Sequence, residues 1–151
     1  MHPAGTSVVD FEAAGSWWDR LLAAGFDAGE PAVVASLGVS MYLTKDANAA
    51  TLRQLASLAT GSALVMTFAP PLESLSESER QGRLTAENGA RASGTPWLSS
   101  FAPEEILAMA RQAGFTAARH VSAAALNERY FAGRADGLRT SRGEALLVAT
   151  T

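Results

Sequence analysis

The chain has 151 residues, enough for one domain with a buried core, and no apolar run approaches the roughly 20 residues that cross a bilayer, so we expect a single soluble domain over residues 1–151. Its net charge of −3 gives no general attraction for phosphate backbones, and we expect no nucleic-acid partner and no membrane partner. The absence of cysteine and the distance between His2 and His120 leave only a carboxylate site for magnesium open, and we expect no metal.

The amino-terminal region predicts a strand followed by a helix. The first residues, MHPAGTS, have neither a basic start nor an apolar run, so we expect no secretory leader and a cytoplasmic location. The segment SVVD, residues 7–10, resembles the end of a strand. Ser16 offers an N-cap for a helix from Trp17 to Ala24 that stops at Gly25.

The stretch PAVVASLGVSMYLT, residues 31–44, predicts a strand, a tight turn and a helix start. Residues 32–37 are apolar apart from Ser36, which is typical of a parallel strand covered on both faces in the middle of a sheet. The strand ends at Gly38, and Thr44 caps the next helix. That helix is predicted to end at Gly61, before a second buried strand over residues 63–68.

Residues 70–100 differ in composition from the rest and predict a lid-like insertion. They contain prolines and the Ser/Glu-rich ESLSESER, with a helix expected around Ser76 to Glu87. A further helix from Pro103 to Ala113 is predicted to stop at Gly114.

The last third predicts two strands, FTAARHVS and EALLVATT, joined by a polar connection. The whole pattern indicates an α/β fold, mostly parallel, that ends in an antiparallel hairpin. Because ligands of such sheets lie beyond the carboxyl ends of the strands, we expect Asp10, Phe11 and the segments 37–43 and 69–71 to line one rim.

Three stretches of the chain together resemble the leucine carboxyl methyltransferase-like family, especially an actinobacterial branch linked to polyketide metabolism. In chain order they are VVDFEAAGSWWDRLLAAGFDAGEPAVVASLGVSMYLT, GTPWLSSFAPEEILAMARQAGF and LNERYFAGRADGLR. The resemblance implies the carboxyl-terminal half of a Rossmann-like methyltransferase domain that uses S-adenosylmethionine and a small-molecule methyl acceptor.

The cofactor loop expected of the absent half has no substitute here. All thirteen glycines are separated, the nearest pairs being four residues apart, so the chain contains no G-x-G sequence. We therefore interpret the chain as truncated, so that S-adenosylmethionine, the cofactor that the resemblance implies, could bind weakly or not at all.

The resemblance implies a cofactor site at four residues. Asp10 and Phe11 correspond to an adenine-recognising pair, although Asp10 as a loop cap and Phe11 as core is the alternative. Leu37 stands where the family has an acid that holds the cofactor's amino group, and losing such a charge-assisted hydrogen bond costs roughly 1.5–3 kcal/mol. Gly38 still permits close backbone approach.

Four further residues are substrate-binding candidates, each with a packing role as the alternative. Tyr42 could direct its hydroxyl into the pocket, and Trp97 could close over it as an aromatic lid. Tyr130 and Arg134 could shape a pocket for an acidic or planar substrate. A hydroxyl acceptor would need a general base, and the sequence does not decide between Tyr42, His120 and a residue of the insertion for that role.

Two functions follow from these observations. The first is an S-adenosylmethionine-dependent O-methyltransferase that acts on a carboxylate or hydroxyl. The second is a non-catalytic α/β remnant that acts through self-association or a partner chain, because losing the preceding strand would expose the edge of the strand at 32–37.

Overall fold

The computed structural model describes residues 9–12 and 16–151, which form a mixed α/β domain. Part of the predicted strand at 7–10, and the predicted capping by the Ser16 side chain, lie outside the described residues, while residues 9–10 are not in a strand. The regular elements of the described part are α1 (Ser16–Ala23), β1 (Val33–Ser36), α2 (Lys45–Ala56), β2 (Ala63–Phe68), α3 (Glu77–Ala92), α4 (Pro103–Ala113), β3 (Ala117–Val121), α5 (Ala123–Leu126) and β4 (Ala145–Thr150).

The four strands form one sheet in the order β1-β2-β4-β3. β1 runs parallel to β2, with Val33 opposite Ala63 and Ser36 opposite Met66, and β4 is antiparallel to both of its neighbours. Three strands therefore point in one direction and the chain ends in an antiparallel hairpin, as predicted. Because β4 inserts between β2 and β3, the β1–β2 pair is the one parallel ladder among the described strands.

The prediction that the first apolar strand lies in the middle of the sheet is wrong for the described residues. β1 is an edge strand that pairs with β2 alone, and its residues alternate between exposed and half-buried. Val33 is 82% exposed, whereas Val34 packs against the core. The apolar run predicted cover on both faces, and the described part of the chain supplies cover on one.

The core lies between the sheet and the pair α2 and α4. Alternate residues of β2, namely Leu64, Met66 and Phe68, are fully buried, and Leu52 of α2 and Ile106 of α4 belong to the same cluster. Burial of these large apolar side chains is the main force that holds both helices on the sheet.

The glycine that was predicted to end each helix does so for α4 but not for α2. α4 has the predicted bounds, and Gly114 follows it with a left-handed φ of 113°. α2 ends at Ala56, before Gly61, because Ser57 donates both its backbone N–H and its hydroxyl to the carbonyl of Gln54. That capping ends the helix without a glycine.

The insertion carries α3, which ends at Ala92, five residues beyond the predicted end at Glu87. Ser76 caps it in a reciprocal box with Glu79, whose carboxylate accepts the backbone N–H and the hydroxyl of Ser76 at 3.1 and 2.6 Å. No helix within the described ranges has the length and apolar character needed to cross a membrane. The cytoplasmic location stays a prediction.

We predict that Ser76→Ala lowers the free energy of unfolding by about 1 kcal/mol near pH 7, because it removes the cap of α3. Hydrogen bonding from Ser76 lowers the pKa of Glu79 from its ordinary value of 4.5, so this stabilisation is complete above that value and is lost as the pH falls through the lowered pKa. Urea denaturation of both proteins should therefore show a difference that shrinks as the pH falls below 4.5.

Thr85→Ala is the matched control. The Thr85 hydroxyl only donates back to the carbonyl of Gln81 within the same helix, so its removal should cost nothing. A Ser76→Ala difference that stays constant down to low pH would contradict the role of the Glu79 carboxylate.

Candidate functional site

The rim predicted from the sequence is formed by the turn between β1 and α2 and the end of β2. The backbone N–H of Gly38 donates to the hydroxyl of Thr67 at 2.7 Å, and the hydroxyl of Ser40 donates to the carbonyl of Thr67, also at 2.7 Å. Since β1 and β2 are parallel, their carboxyl ends lie at this same edge. Gly38 adopts a φ of 68°, which favours glycine and permits the abrupt change of direction.

A buried polar network holds the inner side of this turn. The amide nitrogen of Asn48 donates to the carbonyl of Ser40 at 2.9 Å and to that of Thr44 at 3.0 Å, and the hydroxyl of Ser99 donates to the carbonyl of Ser40 at 2.9 Å. Ser40 and Asn48 are fully buried. The carbonyl of Met41 accepts the N–H of Leu98 at 2.7 Å, so the end of the insertion is fastened to the same turn.

The segment 9–12 is pinned to this rim by a side chain that the sequence did not single out. The Glu12 carboxylate accepts the backbone N–H of Thr44 at 2.7 Å and the Thr44 hydroxyl at 2.9 Å. Thr44 is the N-cap of α2, as predicted, and a carboxylate is favourable at that helix end. Its partner could not be foreseen, because it lies 32 residues away along the chain.

The predicted adenine pair lies on that pinned segment. Asp10 is exposed, and its Oδ1 accepts the backbone N–H of Glu12 at 2.9 Å. Phe11 is half-buried, with its ring centroid 5.5 Å from that of Trp17. These contacts are those of a loop cap and a packing residue, and they leave the carboxylate at the surface of the rim.

The turn at residues 37–38 offers open backbone space and an apolar surface, and no charge. A Cβ built on Gly38 would meet no atom within 4 Å, so the space beside that backbone is open. Leu37 is 58% exposed, which gives the rim an apolar surface. Leucine cannot accept a hydrogen bond, so this position supplies no anchor for an ammonium group.

Trp97 and Tyr42 meet above the rim beside a buried arginine. Their ring centroids are 6.1 Å apart in an edge-on arrangement. The guanidinium of Arg83, from α3, lies 4.3 Å from the Trp97 ring centroid and pairs with Glu87 at 2.8 Å. It also donates to the carbonyl of Pro70 at 3.2 Å, which attaches the insertion to the end of β2. Arg83 was not among the predicted site residues, because an arginine in a mostly polar helix gives no signal in the sequence that it is buried.

A cleft of about 580 Å³ opens beside Arg83 and Trp97, between α3 and the start of β4. The cleft has both donors and acceptors, because hydroxyls of Thr140 and Ser141 line it together with the carboxylate of Glu144. The indole Nε1 of Trp97 is buried and has no hydrogen-bond partner among the described residues. This cleft, which we call the Arg83 cleft, is suited to a small polar molecule with a planar part.

Tyr130 and Arg134 lie away from the Arg83 cleft, on the connection between β3 and β4. Tyr130 is exposed beside Arg129, and Arg134 donates from Nε to Oδ1 of Asp136 at 2.9 Å. This pairing raises the pKa of Arg134 and lowers the pKa of Asp136. Of the four predicted substrate-binding residues, the structure therefore brings Tyr42 and Trp97 together. Tyr130 and Arg134 lie elsewhere, and Arg134 is paired with the Asp136 carboxylate.

No three histidine, aspartate or glutamate side chains of the described residues are grouped so as to hold a metal ion.

The leucine carboxyl methyltransferase family model matches residues 2–56. The resemblance to that family is confirmed there. The match contains both segments of the predicted cofactor site, 10–11 and 37–38. Among curated proteins, none matches the chain significantly.

Solved structures share the fold. A DUF574 family protein from Streptomyces avermitilis has a TM-score of 0.62 at 19% identity, covering 95% of this chain and 53% of that chain. A possible exported protein from Bordetella parapertussis has a TM-score of 0.53 at 19% identity, covering 87% of this chain and 48% of that chain. PigF with SAH has a TM-score of 0.51 at 15% identity, covering 88% of this chain and 43% of that chain. The chain thus shares the α/β fold of these proteins and spans about half of their length.

We predict that Asn48→Ala lowers the free energy of unfolding by about 1–3 kcal/mol, because it removes a fully buried amide that shares the Ser40 carbonyl with the Ser99 hydroxyl and also donates to the Thr44 carbonyl. The control is Asn88→Ala, which removes an exposed amide of α3 whose oxygen accepts from Arg91. That change should stay within about 0.5 kcal/mol. Chemical denaturation measures both, and equal effects would refute a special role for the Asn48 network.

Proposed function

We propose that the chain forms part of an S-adenosylmethionine-dependent O-methyltransferase that methylates a carboxylate or hydroxyl of a small molecule. The observation that carries this proposal is the family match over residues 2–56, since it includes two segments that Glu12 and Thr44 join at one rim. The occurrence of the fold in PigF with SAH supports the same cofactor. The link to polyketide metabolism stays a prediction from the resemblance.

Asp10, Phe11, Leu37 and Gly38 are the residues we assign to the nucleoside side of the cofactor. When bound, S-adenosylmethionine supplies an electrophilic methyl group. The chain has no G-x-G sequence and Leu37 offers no charge, so the binding that we propose for this chain uses the nucleoside part of the cofactor.

The Arg83 cleft is our candidate for the acceptor site. Methyl transfer needs the acceptor oxygen aligned at about 3–3.5 Å from the methyl carbon, and holding it there supplies much of the acceleration. The Trp97 ring and the Arg83 guanidinium can orient a planar acid, which would need no general base. A hydroxyl acceptor would have to lose a proton, and Glu144 is a carboxylate at the cleft wall that could receive it.

A second candidate function is non-catalytic association through the β1 edge. The described residues leave one side of β1 without a strand, and Val33 and Leu37 are the exposed apolar residues there, at 82% and 58%. An uncovered apolar strand edge favours pairing with another strand. The occupant we propose is a second copy of this chain, in a homodimer.

We predict that S-adenosylhomocysteine binds the chain with a Kd below about 10 μM, equivalent to roughly 7 kcal/mol, if the rim is a working nucleoside site. Asp10→Asn should weaken binding about tenfold, because the carboxylate loses its charge toward the adenine amino group. Calorimetric titration measures both values.

Asp27→Asn is the control, since Asp27 is also exposed and accepts the N–H of Gly29, two residues on, at 2.8 Å. It should bind like the unchanged protein. No heat at millimolar ligand would reject independent cofactor binding, and equal weakening by both substitutions would reject Asp10 as a contact.

We predict that the chain forms a dimer at high concentration and that Val33→Lys shifts it to monomer, because a charge at an edge strand opposes pairing. Light scattering after size separation measures this. Leu138→Lys adds the same charge at an exposed leucine of the β3–β4 connection and should leave the dimer intact. A monodisperse monomer for the unchanged chain would reject the second function.

A further inference from the structure

We infer that a second cleft, separate from the proposed acceptor site, binds a small organic acid that combines an apolar body with a carboxylate or phosphate group. The cleft has a volume of about 570 Å³ and lies where β3 ends and β4 begins. His120, Arg139 and Arg142 line it, and we call it the His120 cleft. Its wall includes Glu144, which also lines the Arg83 cleft.

The inner surface of the His120 cleft is apolar. Pro70, Leu75, Ala123 and Ala145 line it, and all four are buried. The ring of His120 lies 5.8 Å from that of Phe68, so one side of the imidazole packs on the core. A floor of this kind gains free energy by covering an apolar ligand body.

The mouth of the cleft carries unpaired positive charge. Neither Arg139 nor Arg142 has an ion pair within 4.0 Å among the described residues, whereas Arg83 pairs with Glu87 and Arg134 with Asp136. Arg142 is near enough to Glu79 to contribute to the lowering of its pKa. Two arginines against the single carboxylate of Glu144 leave the lining net positive in a chain of net charge −3.

The segment that carries both arginines is fastened over the cleft. The Oδ1 of Asn127 accepts the backbone N–H of Thr140 at 2.8 Å, and its Nδ2 donates to the carbonyl of Thr140 at 3.4 Å. These two hydrogen bonds from Asn127 to the backbone of Thr140 fix the segment between Arg139 and Arg142 against the turn that follows α5. Fixing the chain in advance reduces the entropy lost when a guanidinium orders on a ligand.

Guanidinium groups recognise carboxylates and phosphates by paired, charge-assisted hydrogen bonds. An apolar floor below two guanidiniums that have no ion pair within 4.0 Å among the described residues therefore matches a compact acid better than a neutral molecule or a bare ion. Benzoate and phenyl phosphate have this form, and benzyl alcohol has the same body without the charge.

Titration of the full chain with benzoate, phenyl phosphate and benzyl alcohol, followed by saturation-transfer NMR, tests the inference. We expect at least one of the two acids to bind at least about tenfold more tightly than the alcohol. Arg139→Gln and Arg142→Gln should each weaken that acid about tenfold. Arg134→Gln removes the same charge from the same connection outside the cleft, and should change the affinity less than about twofold.

The two acids distinguish a carboxylate source from a phosphate source. Preference for benzoate assigns a carboxylate ligand, and preference for phenyl phosphate assigns a phosphate monoester. Failure of both acids to bind at millimolar concentration overturns the inference, as does equal binding of the alcohol or an equal loss in Arg134→Gln. None of these outcomes depends on S-adenosylhomocysteine binding, so the proposed methyl transfer stands or falls separately.

Discussion

The need to satisfy buried backbone groups where β1 turns into α2 constrains the candidate site more than any other interaction. Ser40 is fully buried, so its carbonyl must find donors inside the protein, and the side chains of Asn48 and Ser99 provide them. Since Ser99 belongs to the insertion and Thr67 to β2, the same bonds bring three distant segments together. Leu37 and Gly38 are thereby held outward at the rim instead of packing into the core.

Local chemistry made much of the fold predictable. Thr44 before a helix, Pro103 and Gly114 around another, and the alternation in residues 63–68 are signals within a few residues of the feature they specify. The position of β1 at the edge and the length of α3 depended on partners elsewhere in the chain. An apolar run shows that a strand needs cover, and it does not show whether this chain supplies it.

The candidate site shows the same limit. Sequence reasoning identified Trp97 and Tyr42, which do meet, but it chose Arg134 as the arginine of the substrate site. Both arginines have a carboxylate partner, Asp136 for Arg134 and Glu87 for Arg83, but it is Arg83 that lies against Trp97. Whether an arginine is paired, buried or available for a ligand is decided by neighbours that its spacing along the chain does not indicate.

The two candidate functions place opposite demands on β1. The chain spans about half the length of the solved structures that share its fold, and the proposed methyltransferase activity would draw on further polypeptide. If that polypeptide extends the sheet beyond β1, it uses the edge that a second copy would use in a homodimer. A strand edge can hydrogen-bond to only one neighbour, so completion of the cofactor pocket and dimerisation through β1 would exclude each other. The occupant of this edge therefore decides between catalysis and association, and the apolar residues Val33 and Leu37 supply the free energy for either.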